Sequence, residues 1–262
     1  METSSVQPVC PLCHRHENVE PDTATYSPET SGVHLSKRRF RCSTCNHVFA
    51  EPPANVREDV HAQVTRVLAR IDGDLRLNLG CGRSPLPGWI NIDSAALPEV
   101  DVVVDLESGS LPFESDSMTE IVGSHVLEHI RNSLGLMQEL HRLAKPNAKA
   151  IFRVPYGSSD DADADPTHVR RYVWDSWGYF SQPYYWRADY GYRGDWEVEE
   201  ILLIVSNEYK NKPWNEIYRA VQTLRNVVLE MVTTLRAIKP IRSPDRSLQK
   251  QTVLRFATQN SP

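Results

Sequence analysis

The sequence of 262 residues is short of long apolar runs, of cysteine and of positive charge in its central part. It has no run of eighteen apolar residues, so no bilayer-spanning helix is expected. Its opening residues, METSSVQPVC, carry no apolar signal core, and a soluble, cytoplasmic protein is the expectation. No internal repeat or low-complexity tract appears. Cysteine is scarce, five in all, and four of the five fall within residues 1–50. Positive charge is missing where a nucleic-acid binder would need it: the formal balance is 0 over residues 1–70, −11 over 71–200 and +6 over 201–262. A central region that acidic is a poor general ligand for a duplex. The length and the 40% apolar content suit one full core plus a small appended module.

What is present is organised around Leu75 to Asp93, LRLNLGCGRSPLPGWINID. Leu75, Leu77 and Leu79 alternate with polar residues, and Gly80, Cys81 and Gly82 then arrive together, which predicts a buried strand stopping at a tight glycine turn. Glycine there lets backbone pass close to a ligand. Asp93 follows the next short apolar run, where a nucleotide-type fold places a carboxylate to accept from ribose hydroxyls. A nucleoside-containing cofactor is the implied ligand. Only ten residues separate Gly82 from Asp93, too few for a crossover helix, so a compressed loop must join the two strands.

The amino-terminal cysteines are spaced as Cys10-x2-Cys13 and Cys42-x2-Cys45. In a reducing compartment, two such knuckles are most economically four thiolates around one structural Zn2+; a disulfide pair or a redox CxxC are the alternatives. His14, His16 and His47 stand beside the knuckles as possible substitutes for a ligand. The basic run Lys37, Arg38, Arg39 and Arg41 is either a phosphate contact or a solvated hairpin face. Glu51-Pro52-Pro53 marks a linker, and Asn55 to Ile71 repeats apolar residues at helical spacing.

Together, Asn78 to Gly82, Asp93, Val102 to Leu106, Leu111 to Phe113 and Ser124 to Ile130 resemble the class I, Rossmann-type S-adenosylmethionine-dependent methyltransferases. The resemblance covers roughly residues 71 to 156, about a third of the chain. It implies an α/β fold with a mostly parallel sheet whose last strand is antiparallel, and S-adenosyl-L-methionine as cofactor. By resemblance the cofactor is held by Asn78, Gly80, Cys81, Gly82, Asp93, Asp105, Leu106 and Ser124, with Asp105 and Leu106 beside the adenine. Asn78 stands where the family more often has an acidic residue, and Ser84 where a third glycine is common. The segment CPLC with FRCSTCNHVFAEPP resembles the zinc-binding head on many bacterial methyltransferases that modify sugars or other small metabolites. The expected organisation is a zinc-ribbon-like module over residues 1–53 and a methyltransferase domain over 54–262.

Further along, His125, Glu128 and His129 form an HxxEH pattern that is also the inverted zinc-protease motif. Its position after a short strand and a glycine turn favours the methyltransferase reading, which puts Ser124 and His125 near the transferred methyl group and leaves Glu128 and His129 to hold the following helix, Arg131 to Ala144. Ala150 to Val154 reads as the next strand. An acceptor-binding insertion is expected over about residues 157–196, where eleven aromatic residues, half of the chain's total, fall between Tyr172 and Trp196. Such rings suit sugars and other planar acceptors and exclude water, though about half should be core packing. Within that insertion His168 is the candidate general base, because imidazole titrates near neutrality. The nearby Asp160, Asp161, Asp163 and Asp165 are either a divalent-cation site or a solvated loop.

Glu197 to Ser206 and Gln251 to Thr258 read as the last two strands, with a helical insertion over about 211–240 between them. Its stripe of Ile217, Val221, Leu224, Val228, Met231, Leu235 and Ile238 would pack on its own domain, form a homodimer contact or touch a membrane surface. The expected activity is methyl transfer to a small-molecule acceptor, a sugar, glycan intermediate or other metabolite. The competing readings are a nucleic-acid or protein methyltransferase that uses the ribbon as reader, and a cofactor-binding protein without chemistry. No [DNS]PP[YFW] sequence follows the fourth strand, which disfavours amino methylation of bases.

Overall fold

The computed structural model describes residues 60–258 in full and, before them, only the backbone of three short strands. The chain divides into two compact units, Met1–Glu58 and Asp59–Pro262. In the first, β1 (Val19–Pro21), β2 (Arg39–Cys42) and β3 (Val48–Ala50) form an antiparallel sheet in that order, with Val19 opposite Cys42. Cys10, Cys13 and Cys45 lie outside the described residues, and of Cys42 only the backbone is described.

The second unit is an eight-stranded sheet with helices. In chain order it runs α1 (Val60–Leu68), β4 (Leu75–Leu79), β5 (Ile90–Asp93), β6 (Val102–Val103), β7 (Met118–Ser124), α2 (Ser133–Leu143) and β8 (Ala144–Pro155). After these come α3 (Asp161–Ala164), β9 (Trp196–Val205), α4 (Trp214–Thr223), β10 (Val228–Ala237) and β11 (Val253–Thr258). The strand order across the sheet is β11-β9-β10-β8-β7-β4-β5-β6. Leu77, Leu79, Ile90, Ile92 and Ile121 are all buried, as expected for parallel strands covered on both faces, and Phe152 and Leu203 continue the core beyond them. α1 packs Val64 and Val67 inward, and its Gln63 accepts a hydrogen bond from the Val103 amide at 2.8 Å, tying the helix to the edge strand β6. No helix among the described residues is long and apolar enough to cross a membrane.

Two expectations for the carboxyl-terminal part are corrected. The helix expected through Ile238 ends at Thr223, and residues 228–237 are strand β10. Met231 and Leu235, four apart, fit a helical stripe and a period-two strand equally well. The deciding feature is the β-branched series Val227, Val228, Val232, Thr233 and Thr234, which suits a pleated surface. Thr233 is buried between Met231 and Leu235 in strand alternation. The final strand, expected to be antiparallel, pairs parallel to β9, while β10 is antiparallel to both β8 and β9. β10 carries the chain back to the amino edge of the sheet, so the strand that follows has to run with β9.

The returning segment is fastened by a buried ion pair. Asp195, with no exposed surface, accepts from Arg242 through Nε and Nη2, each at 2.9 Å, and from the Arg242 amide at 2.9 Å. Arg242 also reaches Glu197 at 2.8 Å, and Lys250 bonds the same carboxylate at 2.8 Å. Burial pushes the Asp195 carboxyl up, but the Arg242 contacts outweigh it and hold the group below its ordinary value. The folded protein thus binds fewer protons at Asp195 than the unfolded chain does. This contribution is complete above the unfolded carboxyl pKa of about 4 and is lost as pH falls below it. Replacing Arg242→Met strands a buried carboxylate and should cost about 3–5 kcal/mol. Urea unfolding at pH 7 and at pH 3 measures both effects: the variant should be weaker at pH 7, and the gap should narrow at pH 3.

Candidate active site

The site is built at the carboxyl edge of β4, β5, β6 and β7, where parallel strands leave their loops together. β4 ends in Gly80 at φ 56°, followed by Cys81 and then Gly82 at φ 52°, both glycines in the left-handed region where a side chain is strained. A Cβ on Gly80 would stand 2.2 Å from Val126 Cγ2, so the turn lies flush against the residue after His125. At Gly82 the corresponding position meets nothing within 4 Å. The first glycine is required by packing, and the second leaves open space beside the backbone.

Three of the turn's amides are spent inside the protein. Cys81 N–H donates to the Ile92 carbonyl at 3.1 Å, Gly82 N–H to Asp93 Oδ2 at 2.8 Å, and Ser84 N–H to the Cys81 carbonyl at 2.8 Å. The other Asp93 oxygen accepts from the Ala95 amide at 2.8 Å. A phosphate cradle presents several unengaged amides, whereas this turn offers room and a carboxylate with lone pairs to spare. That donor set fits a nucleoside without phosphate. Asp105, just past the tip of β6, caps a short turn by accepting from the Glu107 amide at 2.9 Å, and Leu106 is buried beside it.

The β4–β5 link is the compressed loop that the spacing requires, with no helix in it. Buried Asn91 organises it. Its Oδ1 accepts from the Leu86 amide at 2.7 Å and from Asn78 Nδ2 at 2.9 Å; its Nδ2 donates to the carbonyls of Leu86 and Trp89 and to Asp101. Asn78, expected at the cofactor, is buried, and its amide also donates to the Ser84 carbonyl at 3.3 Å. It shapes the loop from within. Cys81 is buried too, and burial, with Asp93 and Asp101 nearby, pushes its thiol up to about 11, so the side chain is a neutral packing group.

Beside the turn, β7 ends in exposed Ser124, and His125 follows at φ 55°, an uncommon conformation for a non-glycine residue. His125 Nε2 lies 2.9 Å from Glu230 Oε1, and Nδ1 lies 3.2 Å from Glu128 Oε1. Glu128 foremost raises the imidazole pKa, partial burial opposes it, and Glu230 adds to the rise. Arg153 Nε holds the second Glu230 oxygen at 3.0 Å. Glu230 belongs to β10, so reading that segment as helix concealed the partner. His168 does not face His125 directly. It packs edge-on against His129, with ring centroids 4.8 Å apart, and both stand next to Glu128.

The four aspartates near His168 are largely committed elsewhere. Arg225 bonds Asp160 at 3.0 Å and Asp163 at 3.1 Å, Arg171 pairs with Asp163, and Asp165 accepts from Thr167. Among the eleven aromatic residues, Tyr172, Trp177, Phe180, Tyr185, Tyr192 and Trp196 are buried, in line with the expectation that about half are core. A different set forms a wall from the end of β8: Tyr156 lies against Trp174, which stacks on Tyr218, which stacks on Trp214. Ile217 and Val221 of α4 are buried within their own unit.

A parallel sheet with a glycine turn and carboxylates at neighbouring strand tips defines a nucleoside-binding α/β enzyme. Residues 9–189 match the model of the methyltransferase domain family, and the chain belongs to that family. It is an S-adenosylmethionine-dependent methyltransferase. Among solved structures, the chain is similar to a SAM-dependent methyltransferase from Archaeoglobus fulgidus at 16% identity and TM-score 0.44, over 68% of this chain and 92% of that one. It is also similar to an S-adenosylmethionine-dependent methyltransferase from Mesorhizobium loti at 13% identity and TM-score 0.40, over 69% of this chain and 99% of that one. No curated protein sequence matches the chain.

The two glycines should respond differently to alanine. Gly80→Ala meets Val126 and should lower thermal stability strongly, as overpacking by a methyl costs about 1–3 kcal/mol besides the left-handed strain. Gly82→Ala has space and should fold, at a strain cost of about 1 kcal/mol, yet bind S-adenosylmethionine more weakly because the methyl occupies the opening. Thermal melts with and without cofactor separate the two outcomes.

Proposed function

We infer that the enzyme methylates a small-molecule acceptor, sugar-like or another metabolite, at an oxygen, nitrogen or carbon atom. The observation that carries the cofactor side is the closed glycine turn, with Gly82 N–H on Asp93 and open space beside Gly82. Asp93 accepts from the ribose hydroxyls, Asp105 from the adenine amine, and Leu106 packs along the base. The bound cofactor supplies an electrophilic methyl group on a sulfonium. The protein's part is to hold the acceptor atom in line at about 3–3.5 Å and to keep water out.

The acceptor side lies along Trp174, Tyr218 and Trp214, a wall that extends from buried Tyr156, whose amide donates to the Leu229 carbonyl next to Glu230. Flat, partly apolar faces beside fixed polar groups suit a ring that carries hydroxyls. Proton removal from the acceptor falls to His125 and His168, both adjacent to Glu128. In the amino-terminal unit, Cys10, Cys13, Cys42 and Cys45 hold one structural zinc ion on this reading, and the ribbon is a folding module.

Full-length protein supplied with radiolabelled S-adenosylmethionine and separate saccharide, metabolite, RNA, DNA and protein fractions should place label in the low-mass fraction. Label confined to polymer would end the small-molecule reading. Calorimetry showing no binding of the cofactor or its demethylated product would end the cofactor reading. His125→Ala and His168→Ala should each reduce kcat by about 10²-fold or more while retaining cofactor affinity.

A further inference from the structure

Glu128 is the least explained side chain in the molecule. Only 2% of it is exposed; Oε1 faces His125 Nδ1 at 3.2 Å, and Oε2 has no hydrogen-bond partner. A buried carboxylate left in that condition is unfavourable unless a cation completes it. Two histidines stand beside it. One ligating atom from each of Glu128, His129 and His168 falls within 4.8 Å of the others.

The rest of the chain prepares these two rings. Thr167 Oγ1 donates to Asp165 Oδ1 at 2.6 Å, so toward His129 Nδ1, 3.0 Å away, the hydroxyl acts as acceptor and the ring nitrogen carries the proton. His168 Nδ1 lies 3.2 Å from the Ala162 carbonyl, which can only accept, so it carries a proton too. In both rings Nε2 is then the lone-pair nitrogen. Metal-binding histidines are held in this way, by donating the opposite N–H to an oxygen. The two segments that carry the ligands are clamped together by backbone: the amides of Val169 and Arg170 donate to the Glu128 carbonyl at 2.8 and 3.1 Å.

We propose that Glu128, His129 and His168 bind a divalent transition-metal ion. Two imidazoles and a carboxylate suit Zn2+, Fe2+ or Mn2+, and three protein ligands leave at least one coordination position for water or an acceptor oxygen. The site is separate from the four amino-terminal cysteines in residues and in donor chemistry. It also differs from the HxxEH reading, since His125 is engaged by Glu230 and His168 takes its place. On this proposal His168 is a ligand in place of the base role given to it above, since Nε2 binds the ion and Nδ1 donates to the Ala162 carbonyl, and proton removal from the acceptor would fall to an ion-bound water or to His125.

The test is metal content of the full-length protein after loading with Zn2+ and dialysis, combined with X-ray absorption at the zinc edge. Glu128→Gln and His168→Ala should each carry one zinc fewer than the wild type, with circular dichroism unchanged. Thr167→Val, which removes only the hydroxyl that orients His129, should weaken zinc affinity by about 10–100-fold. The zinc edge of the wild type should show imidazole and oxygen scattering that disappears in Glu128→Gln while any sulfur shell stays. Equal zinc content in wild type and folded variants would overturn the proposal. If the variants fail to fold, a wild-type zinc shell made of sulfur alone, or no retained zinc, would overturn it as well.

Discussion

A single buried amide makes the cofactor edge possible. Parallel strands need a connection that returns over a face of the sheet, and the usual solution is a helix. Here β4 passes to β5 through a loop, and the backbone groups that a helix would have satisfied internally need other partners. Asn91 supplies them, by accepting from Leu86 and Asn78 and donating to Leu86, Trp89 and Asp101. Its own amide is held by Asp101 Oδ2 at 2.8 Å. The glycine turn and Asp93 lie two residues from this network on either strand, so the geometry of the cofactor edge depends on side-chain hydrogen bonds.

The other half of the sheet is held differently. β10 enters between β8 and β9 and brings Glu230 to the same edge as His125, so a strand late in the chain completes a site begun much earlier. The return from β10 to β11 is fixed by Arg242 across Asp195 and Glu197, two carboxylates flanking the start of β9. Charge thus closes the fold at the amino edge and arranges chemistry at the carboxyl edge.

Local pattern and long-range contact were unequally legible in the sequence. The alternation of Leu75, Leu77 and Leu79, the glycines after it and the short spacing to Asp93 revealed β4, the turn and the compressed loop, because each depends on neighbours in the chain. The aromatic insertion was recognisable from composition, and its mixture of core and wall followed from packing. β10 was hidden because Met231 and Leu235 satisfy two periods at once. Asn78 was assigned to the cofactor on its position in the turn motif; that its side chain points toward Asn91 depends on which face of β4 meets β5. The pairing of His125 with Glu230, and of His129 with His168, joins segments 105 and 39 residues apart. No spacing rule reveals such partners.

The contact between Gly80 and Val126 has a consequence for how the sequence can change. The two positions share one allotment of volume, since a methyl carbon at 80 would stand 2.2 Å from Val126 Cγ2. Growth at 80 demands a smaller or displaced side chain at 126. Positions 80 and 126 should therefore vary as a pair across homologous chains, which would leave the imprint of this contact in sequence statistics even where the surrounding loops have diverged.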